Sequence, residues 1–242
     1  MAIIEWEKEQ TVAVVKMNNG ANRHNLEFAK CFNNILDTIV NDNDIKALVL
    51  TSTDSKNFSQ GIDLEWLLPQ VADTVNGPGQ IKEFMYGMND VFKKMLTIPI
   101  PTIAAINGHA FGNGALLSCS CDFRFMRADR GYFCFPEVDL GIPFLPGMVA
   151  FAKKAFPYYK FNEMKLSGRK VSGAELAEHH VIEKASNSPE ELLSDAMAFA
   201  MTFQKKRGIF GTHKSRLYGY IVDIMETQDP KYIDTLDLFV QE

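Results

Sequence analysis

The first half of this sequence switches repeatedly between two hydrophobic periods, and this alternation constrains the fold more than any other feature. Residues 11–18 (TVAVVKMN) alternate as in a strand, and residues 45–52 (IKALVLTS) form a short apolar run typical of a strand buried on both faces. Between them, LEFAKCFNNILDTIV places apolar side chains at helical spacing: Phe28, Phe32, Ile35, Leu36 and Ile39. Two more β-rich segments, residues 102–108 and 122–126, follow a second amphipathic helix. The alternation predicts an α/β core.

The last third of the chain has a different pattern, because it is almost wholly helical. The segment SPEELLSDAMAFAMTF begins with Ser188 as a favourable N-cap, Pro189 at the first helical position and glutamates in the first turn. We therefore predict a core over residues 1–187 and a helical region over residues 188–242.

Composition and charge exclude several classes of protein. With 242 residues, of which 46% are hydrophobic and 23% charged, the chain is long enough for one large globular domain. The formal net charge of −5 comes without a dense basic stretch, so we expect no nucleic-acid partner, although a local basic patch could bind an anionic small ligand. Four cysteines and five histidines lack metal-ligand spacing, which predicts free thiols and no bound metal.

The sequence indicates neither secretion nor membrane insertion. The opening MAIIEWEKEQ has no basic segment leading into a long apolar run, so we expect no signal peptide. No uninterrupted apolar run approaches the roughly 20 residues of a membrane-spanning helix. The closing LFVQE carries no peroxisomal address of the S-K-L type, and we expect a cytoplasmic protein.

Four stretches of the sequence resemble the motifs of a known family. They are NFSQGIDL (57–64), AAINGHAFGNGALLSCSCDFRF (104–125), FPEVDLGIPFLPG (135–147) and LSGRKVSGAELAEHHVIEKA (166–185). They are similar, in this order, to the blocks F-S-x-G-x-D-L, A-x-x-N-G-x-A-x-G-G-G…C-D, P-E-x-x-L-G…P…G and L-T-G-R-x-I-x-A-x-E-A…G-L-V of the crotonase superfamily, the enoyl-CoA hydratase/isomerase family. Each piece is weak alone, but four in the right order are a strong signal.

This resemblance implies a fold, a ligand and an assembly. The family has a ClpP/crotonase-like α/β fold, a spiral of repeated ββα units followed by a C-terminal helical region that packs between subunits. Residues 188–242 would then serve in oligomerisation, and the chain would form a homotrimer or a dimer of trimers. The ligand would be an acyl-CoA thioester, with coenzyme A as part of the substrate and no separate cofactor.

Two glycine-containing stretches, QGID and GNG, match the family's oxyanion hole. An enolate formed from a thioester needs two fixed donors, and backbone N–H groups serve because they are already oriented. By the family pattern the donors are the N–H groups of Ile62 and Asn113, beside the substrate-binding residues Gly61 and Gly112. Asn113 replaces the usual glycine and tolerates an unusual φ less well, which puts the geometry there in question. A helix starting near Gly114 would direct its positive end at the oxyanion.

One carboxylate in the P-E block is the candidate catalytic residue. Glu137 lies in an otherwise apolar stretch, where desolvation raises the pKa of a carboxylate and makes it a stronger base. Hydratases of the family carry a second carboxylate two residues after the glycine triplet, where this sequence has Leu116. A single glutamate resembles the Δ3,Δ2-enoyl-CoA isomerases, in which one carboxylate takes a proton from C2 and returns it to C4. We therefore predict an isomerase that shifts a 3-enoyl-CoA double bond to the 2-trans position.

Other reactions stay open at the level of sequence. An enoyl-CoA hydratase would need another acid, and Asp139 is the visible candidate, although we expect it to be structural. Dienoyl-CoA isomerisation is disfavoured, because the further acids of those enzymes correspond to Leu116 and Leu145 here. Thioester hydrolysis, decarboxylation and a non-catalytic acyl-CoA-binding role are the remaining alternatives.

The phosphates of coenzyme A require basic side chains. In ANRHNLE, which resembles the stretch that runs beside adenine and pantetheine in the family, Arg23 is a candidate phosphate partner. His24 is expected to be exposed and without a role. In the C-terminal helix, Lys214 falls near the family's phosphate-binding lysine. Asp63, in GIDL, is a candidate substrate-binding residue, and it also fits the role of a helix cap.

Overall fold

The structure of the chain, a computed structural model, describes residues 2–240. Met1 and residues 241–242, which the predicted core and helical region include, lie outside the described residues. The strands are β1 (Ile4–Glu9), β2 (Val12–Met17), β3 (Arg23–His24), β4 (Ala47–Ser52), β5 (Asn57–Ser59), β6 (Gly61–Ile62), β7 (Thr102–Ile106), β8 (His109–Phe111), β9 (Phe123–Arg127), β10 (Phe133–Cys134) and β11 (Lys184–Ser186). The helices are α1 (Leu26–Asn41), α2 (Leu64–Ala72), α3 (Gly77–Thr97), α4 (Asn113–Ser120), α5 (Glu137–Leu140), α6 (Pro146–Ala155), α7 (Tyr158–Ser167), α8 (Gly173–Glu178), α9 (Pro189–Met201), α10 (Arg207–Thr227) and α11 (Pro230–Ile233).

A six-stranded sheet contains most of the long strands, in the order β1-β2-β4-β7-β9-β11. β1 and β2 pair antiparallel, and every other neighbouring pair is parallel. All six residues of β4 are buried, as its continuous apolar run predicts for a strand covered on both faces. The strands predicted over residues 11–18, 45–52, 102–108 and 122–126 are confirmed as β2, β4, β7 and β9.

Alternate residues of β2 enter two separate hydrophobic clusters, one on each face of the sheet. Ala13 and Val15 belong to the larger cluster, together with residues of α1 and α3. Val12 and Val14 belong to the smaller cluster, together with Leu192 of α9. The first helix of the predicted region 188–242 therefore packs on the sheet. The domain boundary at 188 and the role of that region in oligomerisation stay predictions.

Side-chain caps begin four of the helices in the described residues, α1, α2, α8 and α9. Asn25 accepts a hydrogen bond from the Phe28 N–H at 3.0 Å, one turn into α1. Ser188 accepts from the Glu191 N–H at 3.1 Å, which confirms the N-cap predicted for α9. Asp63 caps α2 in the same way.

Two small parallel sheets join segments that are distant in sequence. β3 pairs with β6, which places His24 opposite Ile62. β10, β8 and β5 form the second small sheet. At its end the Gly112 N–H donates to the Cys134 carbonyl at 3.0 Å. This pairing brings the turn before α4 next to the strand that leads into Glu137.

Candidate active site

A largely apolar cavity is lined by residues of β6, α2, α3, α4, α5, α6 and the segment after α11. Its apolar lining residues include Ile62, Leu64, Leu67, Ile81, Phe84, Met85, Leu116, Leu140, Ile142, Phe144, Leu145, Met148, Leu238 and Phe239. Its polar lining side chains are those of Gln60, Asn113 and Glu137, so Glu137 is the only ionisable side chain among the described residues that line it. Such a cavity suits an apolar chain with one proton-accepting group beside it.

The backbone at Gly61 runs very close to the start of α4. Gly61 has a φ of +81°, and a Cβ added to it would lie 2.7 Å from the Phe111 carbonyl oxygen and 3.0 Å from the Asn113 nitrogen. Both the φ and the contacts leave room only for glycine. Ile62 follows Gly61 directly, and both Ile62 and Asn113 line the cavity. The two residues predicted as oxyanion donors therefore lie on backbone segments in contact.

Asn113 is the first residue of α4, one position before the predicted helix start near Gly114. The unusual backbone conformation lies at Gly112, with φ 53° and ψ −123°, and Asn113 is not among the described residues with positive φ. The first N–H groups of a helix have no intrahelical acceptor and carry the positive end of the helix dipole. Asparagine at position 113 is therefore compatible with a donor N–H, because the neighbouring glycine carries the strained conformation.

Glu137 is the first residue of α5 and is buried, with 8% of its surface exposed. A Cβ added to Gly112 would lie 3.0 Å from Glu137 Oε1, so this carboxylate rests against the turn that precedes α4. Its Oε2 is buried without a hydrogen-bond partner among the described residues. Desolvation raises the pKa of Glu137 to about 7, opposed by its own backbone N–H and by the charge of Lys165. The carboxylate is a base whose strength is increased by burial.

The positions weighed for a second acid differ in their surroundings. Leu116 and Leu145 are buried and line the cavity. Asp139 is exposed and is not among the described lining residues. An extended segment would place Glu137 and Asp139 on one face, but these residues form a helical turn, in which positions two apart point in different directions. Asp139 is therefore separated from the cavity.

The residues predicted to contact coenzyme A are in three different settings. Arg23 is exposed, and its guanidinium lies 2.6 Å from the Glu65 carboxylate. Asp63 accepts from the Trp66 N–H and, at 3.3 Å, from the Asn25 side chain, so its carboxylate serves as a cap. Gly61 and Gly112 permit the close backbone approaches described above.

Lys214, which the resemblance placed near the family's phosphate-binding lysine, is buried in the structure. It is 4% exposed, and its Nζ donates to the Asp122 carboxylate at 2.8 Å. The same ammonium donates to the carbonyls of Met95 and Ile100 at 3.0 and 3.3 Å. These three acceptors use all three of its protons, so the ammonium has none left to donate to a phosphate.

The expectation that His24 is exposed is wrong, because His24 is fully buried. It lies between the Asn113 amide and the Ser59 hydroxyl, 2.9 Å from each. The sequence placed His24 among polar residues before a helix, and only the pairing of β3 with β6 shows that this turn enters the interior. Leu238 and Phe239 are two further cavity residues that the sequence did not indicate.

Neither a membrane helix nor a metal cluster is found in residues 2–240. No helix in this range has the length and apolarity needed to cross a bilayer. Within the same range, no three histidine, cysteine, aspartate or glutamate side chains are grouped so that they could hold a metal ion.

The fold is that of the crotonases, as comparison with solved structures shows. An enoyl-CoA hydratase from Bacillus halodurans superposes with a TM-score of 0.85 at 20% identity, covering 99% of this chain and 96% of that one. This confirms the predicted spiral of ββα units with C-terminal helices.

Family membership follows from the sequence comparisons. The enoyl-CoA hydratase/isomerase family model matches residues 7–218, and the chain belongs to that family. "Enoyl-CoA delta isomerase 3" of Arabidopsis thaliana is 31% identical over 182 residues, 71% of this chain and 73% of that protein. "Enoyl-CoA delta isomerase 2, peroxisomal" of the same plant is 33% identical over 147 residues, and this match spans only 60% of either chain.

Proposed function

We propose that the protein is an enoyl-CoA isomerase that shifts the double bond of a 3-enoyl-CoA to the 2-trans position, with Glu137 as its single proton carrier. The observation that carries the proposal is that Glu137 is the only ionisable side chain among the described residues of the cavity. Leu116, at the position of the second hydratase carboxylate in the family pattern, can neither hold a water nor relay a proton. The similarity to two plant delta isomerases supports the same reaction.

The first step is removal of a C2 proton from the 3-enoyl thioester. Glu137 takes this proton, and the electron pair of the C2–H bond moves toward the carbonyl to give a dienolate. The N–H groups of Ile62 and Asn113 would hydrogen-bond the thioester oxygen and stabilise its developing charge. Close contact between the backbone of Gly61 and the start of α4 supports this assignment.

The second step is return of the same proton to C4. Protonation at C4 moves the double bond to C2–C3, regenerates the Glu137 carboxylate and consumes no water or co-reactant. One carboxylate is sufficient because it acts as base in the first step and as acid in the second. A pKa raised to about 7 suits both steps, since the group is a stronger base than an exposed carboxylate and still deprotonated above neutral pH.

The apolar lining supports an acyl chain as the part of the substrate that enters the cavity. The part of the cavity wall formed by α3 and α4 includes Phe84, Met85 and Leu116. Their side chains offer no hydrogen bonds to a polar substituent. Arg23 is retained as a candidate partner for a phosphate of coenzyme A, which would displace Glu65 from its guanidinium. The homotrimer or dimer of trimers and the cytoplasmic location stay predictions.

A double-bond-shift assay with 3-enoyl-CoA substrates of several chain lengths tests the proposal. Glu137→Gln removes the proton-accepting oxygen and keeps the size of the side chain. We expect kcat to fall by about 10²- to 10⁴-fold, the contribution typical of a general acid–base group. Binding of the thioester, measured by calorimetry, should be retained.

The matched control is Asp139→Asn, which removes a carboxylate from the same turn but outside the cavity. Its activity should equal that of the unchanged protein. Rapid hydration of a 2-enoyl-CoA that survives Glu137→Ala would instead identify a hydratase with a different acid. Tight binding of thioesters without any turnover would identify a non-catalytic homologue.

A further inference from the structure

A buried hydrogen-bonded chain lies beside the cavity and takes no part in the proton transfer. His24 Nδ1 is 2.9 Å from the side-chain amide nitrogen (Nδ2) of Asn113, and His24 Nε2 is 2.9 Å from the Ser59 hydroxyl. The Gly61 N–H in turn donates to the Ser59 hydroxyl at 3.1 Å. Both His24 and Ser59 are completely buried. The chain therefore connects Gly61, which precedes Ile62, with Asn113.

The protons of this chain can be assigned by counting donors and acceptors. Ser59 has one O–H, which it donates to the Asn22 carbonyl at 2.7 Å. The hydroxyl must then accept from His24 Nε2–H. A neutral imidazole has only one N–H, so Nδ1 carries a lone pair and accepts from the Asn113 amide. Desolvation lowers the pKa of His24 to about 3, which keeps the ring neutral near pH 7.

Packing holds the same ring in place. The imidazole stacks on the buried ring of Phe28 in α1, with centroids 4.1 Å apart and an interplanar angle of 19°. At the Ser59 end of this hydrogen-bonded chain, α4 lies directly against Ser59, since a Cβ added to Gly114 would lie 2.5 Å from the Ser59 carbonyl oxygen. His24 therefore has a fixed orientation between α1, β6 and α4.

We infer that His24 is a positioning residue, which sets the spacing between the Ile62 and Asn113 N–H groups by holding the Asn113 side chain directly and the Gly61 backbone through Ser59. His24 is not among the described residues that line the cavity, so it acts through Asn113 and Ser59 and not on the substrate. The inference rests on the proposed function in that it takes these two N–H groups as the oxyanion donors.

Three variants separate the hydrogen bonds of His24 from its volume. His24→Phe keeps an aromatic ring for the stack on Phe28 and removes both nitrogens. His24→Asn places an amide oxygen near the position of Nδ1, where it can accept from Asn113, but is too short to reach Ser59. His213→Phe is the matched control, because His213 is an exposed histidine of α10.

Steady-state kinetics give the first readout. In His24→Phe the donors are displaced but not removed, so we expect kcat to fall by about 10- to 100-fold, less than the 10²- to 10³-fold typical of losing one donor. KM should change little, because the acyl cavity is intact. His24→Asn should recover part of the lost kcat, and His213→Phe should behave as the unchanged protein.

Infrared spectroscopy gives a second readout that does not depend on turnover. Hexanoyl-CoA with a ¹³C label at the carbonyl is saturated and can neither isomerise nor be hydrated. Hydrogen bonds from the two donors should move its carbonyl band to lower wavenumber on binding. His24→Phe should lose much of this movement, and His24→Asn should recover part of it.

The outcomes distinguish this inference from the proposed function. A full kcat and a full band movement in His24→Phe would overturn the role of His24, as would a band that does not move in the unchanged protein. The unchanged protein could shift no double bond and yet show a band movement that His24→Phe loses. That result would refute the isomerase and support the role of His24. If His24→Phe does not fold, Ser59→Ala and His24→Asn each break one link, and a full band movement in both would overturn the inference.

Discussion

Two buried charged residues of this protein, Lys214 in α10 and Glu137 at the cavity, have opposite surroundings. Both are nearly inaccessible, with 4% and 8% of their surfaces exposed. Lys214 donates to three acceptors, including the Asp122 carboxylate, whereas Glu137 Oε2 has no hydrogen-bond partner among the described residues. Burying a charge without a partner is unfavourable, so a charge that only supports a fold is expected to be paired. The unpaired carboxylate is therefore the one whose presence needs a functional explanation.

The largest effect should come from removing the paired charge. Lys214→Ala removes the ammonium partner of the buried Asp122 carboxylate, which keeps the hydrogen bonds from the N–H and O–H of Thr102. Breaking a buried ion pair on one side costs about 3–5 kcal/mol, and we expect a loss of this size in the free energy of unfolding measured with urea. The kcat and KM for the acyl-CoA substrate should be unchanged, because neither residue lines the cavity.

The control for this prediction is Lys205→Ala, which removes an exposed lysine. Its unfolding free energy should equal that of the unchanged protein. A Lys214→Ala protein of full stability whose KM rises strongly would contradict the comparison and restore Lys214 as a phosphate ligand.

The second prediction concerns the turn that supports the unpaired carboxylate. Gly112→Ala places a methyl group 3.0 Å from Glu137 Oε1, at a φ of +53° that alanine rarely adopts. Both the carboxylate and the Asn113 N–H should be displaced. We expect kcat to fall by about 10²- to 10³-fold, as for the loss of an oxyanion donor. Rapid-quench or spectrophotometric turnover assays measure this directly.

Gly20→Ala is the matched control for Gly112→Ala, because Gly20 has the same φ of +53° with nothing within 4 Å of an added Cβ. Backbone strain alone should lower the stability of both variants without lowering kcat in Gly20→Ala. Equal losses of kcat in the two variants would show that the contact with Glu137 is unimportant.

The sequence predicted the buried strands and the apolar setting of Glu137 well, since both depend on local pattern. β2 and β4 were recognisable because alternation and continuous apolarity reflect how many faces of a strand are covered. The Ser188 cap was predictable for the same reason, because a cap involves residues only three apart. The family resemblance added the fold, which the structure comparison confirmed.

The burial of Lys214 and His24 could not be predicted in this way. Lys214 lies 92 residues from Asp122 in sequence, and His24 lies 89 residues from Asn113. Both side chains stand next to polar neighbours in the chain, so local composition suggests exposure. Only the packing of α10 and the pairing of β3 with β6 determine that these side chains point inward.

The third prediction concerns the effect of the buried Glu137 carboxylate on stability. Removing this charge should raise the free energy of unfolding, whereas removing the charge of Lys214 should lower it. Burial raises the pKa of Glu137 from 4.5 to about 7. Between these two pH values the unfolded chain releases the proton and the folded chain keeps it, so stability is lost as the pH rises. Glu137→Gln has no such loss. Relative to the unchanged protein, its unfolding free energy should therefore increase by up to about 3 kcal/mol between pH 4 and pH 8.

Urea unfolding of both proteins at several pH values provides this measurement, and Asp139→Asn is again the control, with an exposed carboxylate. A difference for Glu137→Gln that is no larger than that for Asp139→Asn at every pH would mean that the Glu137 carboxylate is hydrated in solution.

The last prediction is the pH dependence of turnover, which reports the same group in its working role. Glu137 must be deprotonated to accept the C2 proton, so kcat/KM should rise about tenfold per pH unit below the pKa and level off above it. Because desolvation raises that pKa to about 7, the bend should lie near neutral pH. Calorimetric binding of hexanoyl-CoA over the same range separates this ionisation from that of the substrate phosphates. A bend near 4.5, with binding independent of pH, would show that the carboxylate is solvated and that its lack of a partner has no bearing on the reaction.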